Sequence, residues 1–159
     1  MLKKNSLKKK LKDGEEVIGT WSSLSSPNVV NVLGTTDLDF VVIDMEHGSM
    51  SYETAENMVR AAESSDISPI IRVGDDDEQT ILRALECDAQ SILVPHVRSA
   101  MQAERVSRSC RYFPEGNRGL SPYTRVHNFS HEGIDESLKH TNQEILVGIL
   151  VEGEEGLRN

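Results

Sequence analysis

A chain of 159 residues, 37% of them hydrophobic, can build one domain with a real core but not two comfortable ones. No apolar run approaches the roughly 18 residues of a membrane span, and the start, MLKKNSLKKKLKDG, lacks the apolar centre of a signal peptide, so a cytoplasmic protein without a membrane partner is expected. Charge is uneven: residues 1–12 hold six Lys and no acid, residues 13–159 hold 26 acids against 11 bases, and such an acidic surface disfavours nucleic acid as a partner.

In chain order, residues 1–14 read as a solvated Lys-rich helix anchored by Leu7 and Leu11 at i, i+4. The strand candidates are 16–21 (EVIGTW), 40–44 (FVVID), 69–73 (PIIRV), 91–95 (SILVP) and 144–151 (EILVGILV). They are continuous apolar runs rather than alternating ones, as expected where both faces of a parallel sheet are covered. Between them lie helical patterns. Ser26-Pro27 reads as N-cap and first turn. Residues 51–63 place Ala55, Met58, Val59 and Ala62 on one face, residues 76–87 open with three acids, and residues 99–110 show Ala100, Ala103, Val106 and Cys110 at helical spacing. Cys87 and Cys110 lack CxxC spacing and read as small buried residues. A Gly/Pro-rich loop, 111–125, precedes a short helix near 132–140.

This alternation predicts an α/β fold with right-handed crossovers. Its two sub-types are a (β/α)8 TIM-type barrel and an open doubly wound sheet, and the chain has neither GxGxxG nor GxxxxGK[ST] to support the second. A barrel needs about 200–250 residues, so the expectation is about the first five β/α units. Residues 1–159 would form a single partial barrel domain. In it, helix 1–14 caps the barrel, 15–152 holds the β/α units, and 153–159 begins a C-terminal part lying beyond this sequence.

Polar residues gather where these strands end. Asp44, Glu46 and His47 follow the second strand, Arg72 ends the third, His96 follows the fourth and Glu152 ends the fifth. The C-terminal ends of parallel strands are where α/β folds place ligands. Glu152 is a hard oxygen ligand for Mg2+, Mn2+ or a similar cation, which would polarise the carbonyl of a 2-oxo acid. Arg72 suits the oxyanion of a forming enolate, and His47 suits proton movement at neutral pH.

VVIDMEHG, PIIRVGD, SILVPHV, RYFPEGNRGLSPYTR and ILVE together resemble the HpcH/HpaI aldolases, the metal-dependent pyruvate aldolases such as 4-hydroxy-2-oxoheptanedioate and 2-dehydro-3-deoxyglucarate aldolase. The resemblance runs from Gly19-Thr20-Trp21 to Glu152. It implies reversible cleavage of a 4-hydroxy-2-oxo acid to pyruvate and an aldehyde, through an enolate held by Mg2+, Mn2+ or Co2+. It also implies a homo-oligomer. Catalytic roles fall on His47 as base, Arg72 as enolate-stabilising and substrate-binding residue, and Glu86 as the acid raising the basicity of His47. Glu152 matches a direct metal ligand, while Asp44 and Glu46 match acids that bind the metal's waters.

Departures accompany the likeness. The family's second direct metal ligand lies in a stretch beyond Asn159, Leu150 stands where Gln is common, and Asp37 and Asp88 stand where Gly is common. A non-catalytic remnant of such an aldolase, or a lyase like those that cleave citryl- or malyl-CoA, is therefore an alternative. Asp44 and Glu46 also read as solvated acids, and Arg72 as a structural ion pair. His96 reads as a packing or hydrogen-bonding residue. The Gly116–Gly119 loop reads equally as an anion cradle or a turn. His127, His131 and His140 are expected to face solvent, and Tyr123 and Arg125 to line the mouth.

Overall fold

The computed structural model describes residues 3–159. Its strands are β1 (Gly19–Ser22), β2 (Phe40–Asp44), β3 (Ser68–Arg72), β4 (Ser91–Val94) and β5 (Leu146–Ile149). The helices are α1 (Ser6–Lys12), α2 (Pro27–Leu33), α3 (Tyr52–Ser64), α4 (Glu78–Leu85), α5 (Ala100–Ser109), α6 (Ile134–Glu144) and α7 (Glu154–Arg158). The sheet order is β1-β2-β3-β4-β5, and every neighbouring pair is parallel. A doubly wound sheet reverses its strand order at a switch point, whereas a barrel wall runs consecutively. The consecutive order decides for the barrel type.

The helices begin where short polar side chains can satisfy their first N–H groups. Ser51 accepts from the Thr54 N–H, Asp77 from those of Gln79 and Thr80, and Ser99 from that of Gln102. Ser26 has the extended backbone of an N-cap and Pro27 follows it, yet the Ser26 side chain makes no cap bond. The periodic face expected of α3 is buried: Ala55, Met58, Val59 and Ala62 are fully inaccessible and pack with Val41, Ile43 and Ile71 of the sheet. No helix among the described residues is long and apolar enough to cross a membrane.

Several sequence expectations are corrected. Leu7 is buried, but Leu11 is 45% exposed and anchors nothing. A polar contact holds α1 in its place: buried Asn5 donates from Nδ2 to Gln90 O (2.9 Å) and Ser91 Oγ (3.0 Å) at the N-terminal edge of β4. Lys8 Nζ donates to Gln143 O (2.6 Å) and Ile145 O (2.7 Å) beside β5. The Gly116–Gly119 loop follows a turn at 113–115 and folds back on the end of α5. The N–H groups of Gly116, Asn117 and Arg118 all donate to backbone carbonyls of 108–112, leaving none of the three to cradle an anion. A Cβ on Gly116 would stand 2.1 Å from Arg108 O and 2.4 Å from Arg111 O, so only glycine permits that approach. Asp88 adopts φ +66, the left-handed conformation that favours Gly, and ion pairs to Lys3 (3.1 Å) and Arg125 (3.0 Å) hold it there. Asp37 is not among the described residues with positive φ.

His131 is exposed, edge-on to Tyr123, and His140 is half-buried with Nε2 2.6 Å from Lys3 O. His127 is buried, against expectation, with Nε2 3.0 Å from the Tyr112 hydroxyl and Nδ1 2.8 Å from Ser137 Oγ. Burial pushes the His127 imidazole below its usual pKa, aided by nearby Arg118, and pushes Tyr112 up to about 12. The sign of the resulting pH dependence follows from linkage. The unfolded imidazole takes a proton near pH about 6.5 while the folded one resists it. The stabilisation is complete above that pH and is lost as pH falls toward the lower folded value. His127→Gln should flatten the stability profile between pH 7.5 and 5, removing a slope of at most about 1.4 kcal/mol per pH unit. Thermal melting of both proteins across that range measures it.

Candidate active site

Asp44 and Arg72 are the last residues of β2 and β3, and the strand register sets them side by side. Arg72 donates from Nε to Asp44 Oδ1 (2.8 Å) and from Nη2 to Oδ2 (2.6 Å), a two-pronged ion pair that is almost wholly buried. Asp44 Oδ1 also accepts the backbone N–H groups of Glu46 (3.1 Å) and His47 (3.2 Å), which shapes the turn after β2. Burial pushes the Asp44 carboxyl up, but the Arg72 guanidinium and those two N–H donors outweigh it and hold it below the usual carboxylate range. The Asp44 carboxylate in turn holds Arg72 above its ordinary value. The guanidinium carbon lies 4.4 Å from the centre of the Trp21 ring, so β1 supplies an aromatic face to the same group.

From Arg72 the network continues across the strand ends. Arg72 Nη1 lies 3.0 Å from Glu46 Oε2, and Glu46 Oε1 lies 3.1 Å from His96 Nε2. His96 Nδ1 lies 3.1 Å from Glu152 Oε1, the same oxygen that accepts the His96 backbone N–H at 3.0 Å. Contacts therefore run unbroken through Asp44, Arg72, Glu46, His96 and Glu152, from the end of β2 to just past β5. His47 stands at the edge of this array, its side chain 73% exposed and its Nε2 3.8 Å from Glu46 Oε1.

Two sequence expectations need correction here. Glu86 caps the C-terminal end of α4, and α4 runs back against the strands. That puts Glu86 at the N-terminal end of the sheet, where it pairs with buried Arg118 (3.1 Å) and does not reach His47 of the same chain. Arg125 is also at that end, with Nη1 3.1 Å from Glu63 and 3.0 Å from Asp88, and does not line the mouth. His96, read as a packing or hydrogen-bonding residue, does hydrogen-bond, and it is the link between two carboxylates. Its signal was in the sequence: like Asp44 and Glu152, it lies at or just past the C-terminal end of a strand. Tyr123 is exposed, with the His131 ring as its aromatic partner.

Residues 17–159 match the HpcH/HpaI aldolase/citrate lyase family. The chain belongs to that family. It is similar to the hydroxypyruvate/pyruvate aldolase of Roseobacter denitrificans, at 40% identity over 73% of this chain and 45% of the relative. It is similar also to the 5-keto-4-deoxy-D-glucarate aldolase of Escherichia coli, at 31% identity over 98% of this chain and 60% of the relative. Among solved structures, an HpcH/HpaI family protein from Burkholderia cenocepacia superposes with a TM-score of 0.89 at 27% identity, covering 97% of this chain and 62% of that one. Citrate synthase SbnG superposes at 0.86 with 33% identity, covering 98% and 59%. The chain thus spans about half to three-fifths of the length of these relatives.

A divalent cation is what the family chemistry implies, and the acids present can be tested for it. Both Asp44 oxygens are taken by Arg72, which leaves little of that carboxylate for a metal's waters. Glu46 Oε2 is buried and lacks a hydrogen-bond partner, since Arg72 Nη1 is near but out of line. Glu152 is engaged through Oε1 by His96. Among the described residues no three His, Cys, Asp or Glu side chains are spaced to enclose a metal. Mg2+ and similar ions commonly take one or two carboxylates and fill their other positions with water and substrate. Glu46 and Glu152, both hard oxygen donors, fit that open arrangement.

Proposed function

We propose that this site performs pyruvate-aldolase chemistry: reversible cleavage of a 4-hydroxy-2-oxo acid to pyruvate and an aldehyde, with Mg2+, Mn2+ or Co2+ as cofactor. The observation that supports it most is the continuous Asp44–Arg72–Glu46–His96–Glu152 array at the strand ends of a family member. Glu152 would hold the cation directly and Glu46 would hold it through water. When bound, the cation supplies Lewis acidity toward the 2-oxo group.

The chain's own residues account for the rest. In the cleavage direction a base takes the proton of the C4 hydroxyl, the C3–C4 bond breaks, and its electrons become the enolate of pyruvate. His47, open to solvent beside Glu46, would take that proton and later deliver one to C3. Arg72 cannot swing away, because Asp44 grips two of its nitrogens and Trp21 covers one face. Its fixed positive charge meets the developing oxyanion without reorganising, and this is the arrangement that makes such charge effective. Substrate arrives at the open ends of the strands, where Arg72 also binds its carboxylate or oxo oxygens.

The partial reaction provides the test. With Mn2+ or Mg2+ in deuterated water, the chain should exchange the methyl protons of pyruvate, followed by loss of the methyl signal in proton NMR. EDTA should stop the exchange. A folded chain that neither binds the cation nor exchanges those protons would sink the proposal. The likeness to citrate synthase SbnG favours a second reading, in which the enolate is that of an acetyl donor and adds to a dicarboxylic 2-oxo acid; consumption of both without aldehyde turnover would identify it.

A further inference from the structure

We propose that His96 is a positioning residue that sets Glu46 and Glu152 as a pair for a divalent cation, an inference resting on the cation reading above. Three contacts meet at this one residue: Nε2 to Glu46 Oε1 at 3.1 Å, Nδ1 to Glu152 Oε1 at 3.1 Å, and the backbone N–H to Glu152 Oε1 at 3.0 Å. Glu46 follows β2 and Glu152 follows β5, so β3 and β4 separate the elements that carry them. The imidazole spans that gap.

The arrangement is selective about which oxygens it uses. On Glu152 the ring and the backbone N–H both take Oε1, so Oε2 is left to another partner. On Glu46 the ring takes Oε1, while Oε2 is buried and faces Arg72 Nη1 at 3.0 Å. The ring thus fixes one oxygen of each carboxylate, which is how a residue behind a metal's ligands orients them, and Glu152 keeps Oε2 open. Packing does not explain the ring, since the His96 side chain is 57% exposed. Nor does backbone preference explain the residue. His96 sits at φ +58, a left-handed conformation that a Cβ disfavours and that glycine adopts freely. That conformation directs the N–H at Glu152 and brings the ring between the two acids.

Two variants separate ring from backbone. His96→Gly keeps the N–H and suits the positive φ, while His96→Asn keeps a side chain that tolerates it but cannot reach both carboxylates. Mn2+ binding to the full chain is measured by calorimetry without pyruvate, beside thermal melting. The expected result is a Kd raised about tenfold or more in both variants, with His96→Gly melting no lower than the parent. Unchanged Kd in both variants overturns the role of His96. Weakened binding together with lowered melting in both assigns the residue to the fold alone and overturns it too. A parent chain that takes up no Mn2+ is a separate result, and it overturns the cation reading along with this inference.

Discussion

Arg72→Met should lower the stability of the chain by about 3–5 kcal/mol, the usual cost of leaving one partner of a buried ion pair uncompensated. Asp44 would keep only the N–H groups of Glu46 and His47, at 3.1 and 3.2 Å, in a side-chain environment 7% exposed. Arg72→Lys keeps the charge but cannot grip both Asp44 oxygens with a planar fork or lie flat on Trp21, so it should fall between. Urea unfolding at pH 7 measures all three. The sign with pH is fixed by the lowered Asp44 pKa: its contribution is present above the unfolded carboxylate value of about 3.9 and is lost as pH falls through the folded value. The gap between parent and Arg72→Met should therefore narrow in acid. A loss at pH 7 no larger than that of a surface substitution would show that the fork is not held in solution.

His47→Gln should do the opposite, costing activity and almost no stability. Its side chain is 73% exposed and its nearest ionic neighbour, Glu46, is 3.8 Å away. Surface changes of this kind usually shift stability by within about 0.5 kcal/mol, whereas losing a general acid–base residue typically costs about 10²–10⁴-fold in rate. Pyruvate methyl exchange in the variant should drop accordingly while its melting curve overlays that of the parent. Exchange that persists at the parent rate would move the proton-handling role from His47 to another group.

The sheet was legible because its strands are bare apolar runs: 40–44 matches β2 at both ends. The helices were legible from their apolar spacing and from the capping side chains Ser51, Asp77 and Ser99, which act within their own turn. Asp44, Arg72, Glu46 and Glu152 were legible as a group because strand ends in a parallel sheet share one face. What escaped depended on contacts between distant segments. His127 looked like a loop histidine, and its burial comes from Tyr112 on one side and Ser137 on the other. Glu86 was placed by likeness alone; the antiparallel course of α4 against β3 and β4 carries it to the far end of the sheet. His96 carries no sequence mark of a left-handed backbone, and without that turn it would not reach Glu152.

The fork between Asp44 and Arg72 also bears on how the sheet assembles. FVVID and SPIIR are apolar on both faces, so a one-residue slip between them would still match oily residues with oily residues. Such strands have weak apolar guidance about alignment, yet a slip turns side chains to the opposite face. A misaligned β3 would bring Ile71 or Val73 opposite Asp44 and bury the carboxylate without its partner. The ion pair at the strand ends therefore acts as a stop, and the alignment that completes the sheet is the same one that aims the guanidinium at the mouth.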